Sequence, residues 1–95
     1  MKTSPFVIQE PETYKGRWQE AFGSKQPIRI EIGCGKGNFI MTMAREHPER
    51  NYIAIELFSS VLYRALQKQE EEKLPNLLLI RMDAMLLPEV FAQGE

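Results

Sequence analysis

Apolar side chains recur along this chain in two rhythms, and the switches between them divide it into elements. Tyr14, Trp18, Ala21 and Phe22 fall at i, i+4, i+7 and i+8, one helical stripe. Thr13 is placed to cap that helix and Gly23 to stop it. Residues 1–13 read as extended or irregular, punctuated by Pro5 and Pro11. After Pro27 the rhythm shortens, and Ile28-Arg29-Ile30-Glu31-Ile32 reads as a first strand. A helix follows from Asn38 to His47, with Phe39, Ile40, Met43 and Ala44 inward and Pro48 ending it. Tyr52-Ile53-Ala54-Ile55 is a second strand, closed by Glu56. Ser59 or Ser60 is expected to cap the next helix, whose buried stripe is Val61, Leu62, Ala65, Leu66 and Gln69. Glu70-Glu71-Glu72 reads as solvated surface, and Pro75 stops the helix. Leu77 to Met82 is a third strand, with a short helical turn at 88–91.

Strands alternating with helical segments predict an α/β fold with a parallel sheet. Right-handed crossovers wind the strands outward, giving spatial order 3-2-1. The expected division is an N-terminal extension with one amphipathic helix, residues 1–26, and the first, incomplete part of a doubly wound α/β domain, residues 27–95. In a complete doubly wound sheet a fourth strand would lie beside strand one, so the chain reads as truncated. Strand one is then an open edge, and edge-to-edge or swapped homodimers are expected of this form.

Size and charge narrow the classes. Ninety-five residues suit one domain, and 43% hydrophobic residues is ordinary for a globular protein. The longest apolar run, Leu77-Leu78-Leu79-Ile80, is strand-sized, and Met1 to Ile8 shows no signal-peptide core, so no membrane association is expected. Cys34 is the single cysteine, which with no export signal fits a reducing cytoplasm. Net charge is −1, without the basic excess usual in nucleic-acid binders, although residues 14–36 carry five basic side chains against two acidic ones.

Glu31-Ile32-Gly33-Cys34-Gly35-Lys36-Gly37 joins a strand to a helix. Glycines there permit a tight turn and close backbone approach, and the helix start offers unpaired N–H groups to an anion such as a carboxylate. A dinucleotide fingerprint would need glycine where Asn38 stands, and a P-loop would need Ser or Thr where Gly37 stands. Glu56 ends strand two, where a carboxylate can accept both hydroxyls of a ribose. Asp83 follows strand three, where it can accept from the exocyclic amine of an adenine. The three acids, spaced 25 and 27 residues apart, all sit at carboxyl ends of strands and should line one cleft. An acidic cleft favours the sulfonium of S-adenosylmethionine and disfavours the phosphates of a dinucleotide. Neither His47, at a helix end, nor Cys34, filling a turn, is assigned a catalytic role, and no metal site is expected.

Tyr14-Lys15-Gly16-Arg17-Trp18, Ile30 to Phe39, Asn51-Tyr52-Ile53-Ala54-Ile55-Glu56-Leu57-Phe58 and Pro75 to Ala84 together resemble the bacterial tRNA (guanine-N(7)-)-methyltransferases. The likeness runs from about Phe6 to the end. It implies a Rossmann-like methyltransferase fold, S-adenosylmethionine as cofactor, and tRNA as the partner of the full-length protein. It implies cofactor contacts from Glu31, Gly33, Gly35, Gly37, Glu56, Asp83 and Ala84. The family's fourth strand, whose Asp-Pro-Trp segment contacts cofactor and guanine, would lie beyond Glu95, so this chain is expected to be inactive alone. Two alternatives stand: a methyltransferase for another substrate, and a non-catalytic nucleotide-binding or interaction module.

Overall fold

Two β-α-β crossovers wind this chain into a sheet of three parallel strands. The computed structural model describes residues 6–8, 10–23, 25–33 and 37–91. Strand β1 is Ile28–Ile32, β2 is Asn51–Glu56 and β3 is Leu77–Arg81. Their order is β1-β2-β3, the expected 3-2-1 arrangement, with Ile30 beside Ile53 and Ile53 beside Leu78. Helices α2 (Asn38–Glu46) and α3 (Ser59–Glu72) make the crossovers.

Every residue of β2 is buried, because both faces of the sheet are covered. On one face Ile40, Met41 and Ala44 of α2 and Leu62, Ala65 and Leu66 of α3 pack over Tyr52, Ala54, Leu77 and Leu79. The other face, built on Ile53, Ile55 and Ile80, is closed by Trp18, Val90 and Phe91. Trp18 lies in α1 (Trp18–Phe22), and Val90 ends α4 (Leu87–Val90). The Trp18 ring stacks on Phe91 at 5.0 Å between centroids, and its Nε1–H donates to the Val90 carbonyl at 2.8 Å. The tryptophan thus joins α1 to the end of α4, the packing role its periodicity implies.

Backbone pairing also ties down the N-terminal segment. The Ile8 amide donates to the Leu79 carbonyl and the Leu79 amide to that of Phe6, so Val7 lies parallel beside Leu79 on the outer edge of β3. At the opposite edge β1 has no neighbouring strand on its outer side among the described residues.

Buried amides seal the loops. Asn76 Nδ2 donates to the carbonyls of Ala44, His47 and Arg50, gathering the end of α2 and the turn into β2. Gln69, in the apolar stripe of α3, is fully buried because its side chain clamps the following turn, donating to Leu74 and Leu77 carbonyls and accepting the Leu74 amide.

Local details depart from the sequence expectation. The first helix is broken: a 3-10 turn at Pro11–Tyr14 and α1 are separated at Gly16, whose φ of +78° no continuous helix accepts. Thr13 therefore does not cap it; its hydroxyl donates to the Glu10 carbonyl. Gly23 ends α1 in the left-handed region, as expected. Neither Ser59 nor Ser60 caps α3; the cap position is Phe58, whose amide goes to the Glu56 carboxylate. Phe39 is 64% exposed, and Met41 takes the inward position, because the stripe facing the sheet runs through 37, 40, 41 and 44. Val61 is half-buried. Helix α3 ends at Glu72, with Lys73 at φ +53°, before Pro75 is reached.

Candidate functional site

Parallel strands deliver all their carboxyl ends to one edge of a sheet, and the turns leaving that edge carry the candidate residues. The first turn begins at Gly33, whose amide donates to the Ile55 carbonyl at 2.8 Å, the last rung between β1 and β2. Its φ is +70°, a turn open to glycine. Gly37 closes the loop at φ +82° and caps α2. A Cβ there would lie 2.9 Å from that of Ala65, so this glycine lets α2 start directly against α3. Gly35, with Cys34 and Lys36, lies outside the described residues. Among the described residues no side chain caps α2 and its first turn holds no acidic residue, an arrangement that suits an anion at the start of the helix.

Glu31 is the penultimate residue of β1, level with Ala54 and half-buried. Burial pushes its carboxyl pKa above the ordinary value of 4.5. A cation beside it would recover that cost. Glu56 is the last residue of β2, two positions further along, and is 8% exposed; its Oε2 accepts the Phe58 amide at 3.2 Å. Sheet pairing continues past it, because the Met82 amide donates to the Glu56 carbonyl. That bond holds the segment leading to Asp83 against the end of β2. Asp83 is exposed and starts a 3-10 turn, Ala84–Leu86, its Oδ1 accepting the Met85 amide at 2.9 Å. Ala84 is half-buried beside it. A carboxylate offers about four lone-pair sites, so the bond Asp83 accepts from a local amide does not exhaust its acceptor capacity.

The sequence analysis assigned no site role to the apolar side chains at the same edge. Leu57 and Phe58 follow Glu56, Met85 and Leu86 follow Asp83, and Phe39 opens α2; all five are exposed. Large apolar groups directly after an acceptor carboxylate were the available signal, since a flat base needs both an apolar surface and a polar anchor. His47 lies elsewhere: it caps the far end of α2, ahead of β2, with Nδ1 3.2 Å from Glu49. Among the described residues no group of three or more His, Cys, Asp or Glu could hold a metal ion, and no helix is long and apolar enough to cross a membrane.

Comparison with known proteins places this arrangement. A family described as "Putative methyltransferase" matches residues 25–95. The tRNA (guanine-N(7)-)-methyltransferase of Listeria innocua serovar 6a is 57% identical over 88 residues, 93% of this chain and 41% of that protein. The enzyme of the same name from Brevibacillus brevis is 46% identical over 95 residues, all of this chain and 44% of that protein. The chain therefore spans under half the length of these curated relatives. Among solved structures, PKMT2 from Rickettsia typhi in complex with AdoHcy superposes with a TM-score of 0.54 at 19% identity, over 85% of this chain and 17% of that one. At that identity the likeness shows the fold alone, a Rossmann-like parallel α/β sheet.

Proposed function

The chain belongs to the methyltransferase family whose model spans residues 25–95, and from that premise we propose that it supplies the S-adenosylmethionine-binding part of a tRNA (guanine-N(7)-)-methyltransferase. The observation that carries this reading is one edge of the sheet that collects a glycine turn, a helix start with no side-chain cap among the described residues, and acids at the carboxyl ends of three successive strands. In this reading residues 27–95 belong to the cofactor-binding part and residues 1–26 are an N-terminal extension, whose Trp18 packs on the sheet face of Ile53, Ile55 and Ile80.

The residues present fit this cofactor. Amides at the start of α2 and the Gly33, Gly35, Gly37 turn bind the carboxylate of its methionine part. Glu31 faces the ammonium and sulfonium charges, which offset the burial of its own carboxylate. Glu56 accepts the ribose hydroxyls, and Asp83 with Ala84 holds the adenine edge. Leu57 and Met85 offer the ring an apolar surface. When bound, the cofactor supplies an electrophilic methyl group on a sulfonium sulfur. Guanine N(7) carries a free lone pair, so the protein need not remove a proton to make it a nucleophile. In-line positioning, worth up to about 7–11 kcal/mol in favourable cases, is the main contribution asked of the protein. In this proposal the groups that hold the guanine come from polypeptide outside these 95 residues, and the chain alone does not methylate tRNA.

Calorimetric titration with S-adenosylhomocysteine tests the site. Glu56→Ala and Asp83→Ala should each weaken binding about 10- to 150-fold, the loss of a hydrogen bond to a charged acceptor. Circular dichroism of each variant separates lost binding from lost folding, since both acids also hold a local amide. Folded variants that bind as tightly as the parent chain would overturn the assignment.

A further inference from the structure

We propose that Lys68 of α3 is a positioning residue for the carboxylate end of the cofactor, acting on the first turn of α2 from across the seam between the two helices. Lys68 lies outside the glycine turn and the acids, and its role rests on the cofactor reading above. Helix α2 begins at Asn38, and its first backbone bond runs from the Met41 amide to the Gly37 carbonyl at 3.0 Å. The amides of Asn38, Phe39 and Ile40 come before that bond and have no carbonyl of the helix to accept them. They are the amides assigned above to the cofactor's carboxylate. Two residues of α3, one turn apart, stand against this helix start. Ala65 lies where a Cβ on Gly37 would come within 2.9 Å of its own. Half-buried Lys68 donates from Nζ to Asn38 Oδ1.

An asparagine at a helix start readily turns its side-chain oxygen onto nearby backbone amides. Here that oxygen is engaged across the seam, and no side chain caps α2 among the described residues. Lys68 thus keeps Asn38 from competing with a ligand for the first turn. It also brings a positive charge to within one side-chain amide of those N–H groups, adding to the positive end of the helix dipole. Glu72, one turn further along α3, is held by Arg45 of α2, accepting from its Nε at 2.9 Å and its Nη2 at 2.6 Å. Among the described residues Lys68 forms no ion pair. The packing of Ala65 at Gly37 and the Arg45–Glu72 pair support the seam by themselves. Removing Lys68 therefore takes a donor and a charge from the helix start without opening the contact between the helices.

Calorimetric titration with two ligands decides the matter. S-adenosylhomocysteine carries the carboxylate, and its decarboxylated analogue keeps the adenosine, the sulfur and the amine without it. At low salt Lys68→Met should weaken S-adenosylhomocysteine about two- to five-fold, the contribution of one charge near a helix start, and should leave the decarboxylated analogue no weaker. Lys68→Arg keeps donor and charge and should bind both ligands as the parent chain does. The urea midpoint of Lys68→Met should stay close to that of the parent, since a partly exposed pair adds little stability. Equal weakening of both ligands would make Lys68 a support of the fold alone and overturn the proposal. Unchanged binding of S-adenosylhomocysteine would overturn it as well. Glu56→Ala removes a ribose contact common to both ligands and should weaken both. Ligands that bind, lose affinity in Glu56→Ala and ignore Lys68 would therefore overturn the positioning role and leave the cofactor site standing, whereas a folded parent chain that binds neither ligand would overturn both.

Discussion

Replacing Gly37 with alanine tests whether the glycine turn serves packing as well as ligand approach. Two independent costs meet at this residue. Its φ of +82° lies where an L side chain crowds the backbone, worth about 1–2 kcal/mol. Its added Cβ would stand 2.9 Å from the Cβ of Ala65, nearer than two carbon atoms tolerate, and 3.5 Å from the Ala65 Cα. Ala65 is buried in the middle of α3, so relief requires a helix shift, and overpacking of this kind costs about 1–3 kcal/mol. Gly37→Ala should therefore destabilise the chain by about 2–5 kcal/mol, read from urea unfolding followed by circular dichroism. Gly33 is the control. Its φ is +70°, but a Cβ there meets nothing within 4 Å, so Gly33→Ala should cost only the backbone share, about 1–2 kcal/mol. Ala65→Gly gives the second arm. It is destabilising by itself, yet combined with Gly37→Ala it removes the contact, so the double variant should be about 1–3 kcal/mol more stable than the sum of the singles predicts. Equal costs at Gly33 and Gly37, together with additivity within about 0.5 kcal/mol, would refute the close approach of α2 to α3.

Two further outcomes follow from buried groups. Asn76→Ala leaves the Ala44, His47 and Arg50 carbonyls without their shared donor and should cost about 2–4 kcal/mol in urea unfolding, against a near-neutral change if water replaces the amide. Because the folded-state pKa of Glu31 lies above its unfolded value, the folded chain favours the protonated acid, and this group opposes folding once it is ionised. Glu31→Gln should accordingly stabilise the ligand-free chain at neutral pH, with the gain shrinking as pH falls through the folded pKa and vanishing below the ordinary value of 4.5; a gain unchanged by pH would exclude desolvation as its cause.

What the sequence determined by itself was the set of strands, their order and the edge that carries the acids. The β-branched runs at 28–32 and 52–55 and the helical stripes between them leave little choice, because period-two and period-3.6 patterns bury different faces. With crossovers of one hand and both helices on one face, β1-β2-β3 follows, and Gly33, Glu56 and Asp83 come to one edge. The Gly16 break lay outside that reading, although the glycine is visible in the sequence. Tyr14 and Trp18 have helical spacing, yet Trp18 answers to Val90 and Phe91, more than 70 residues away, and that contact rather than local rhythm sets where α1 begins. Helix α2 is similar. Phe39 and Met41 are equally apolar, and only the angle at which the helix meets the sheet sends one outward and the other inward. The glycines of the loop read alike in sequence, yet Ala65 stands against Gly37 and nothing within reach stands against Gly33. Periodicity records which face of an element is apolar; what that face touches depends on residues distant along the chain, and only the packed structure brings them together.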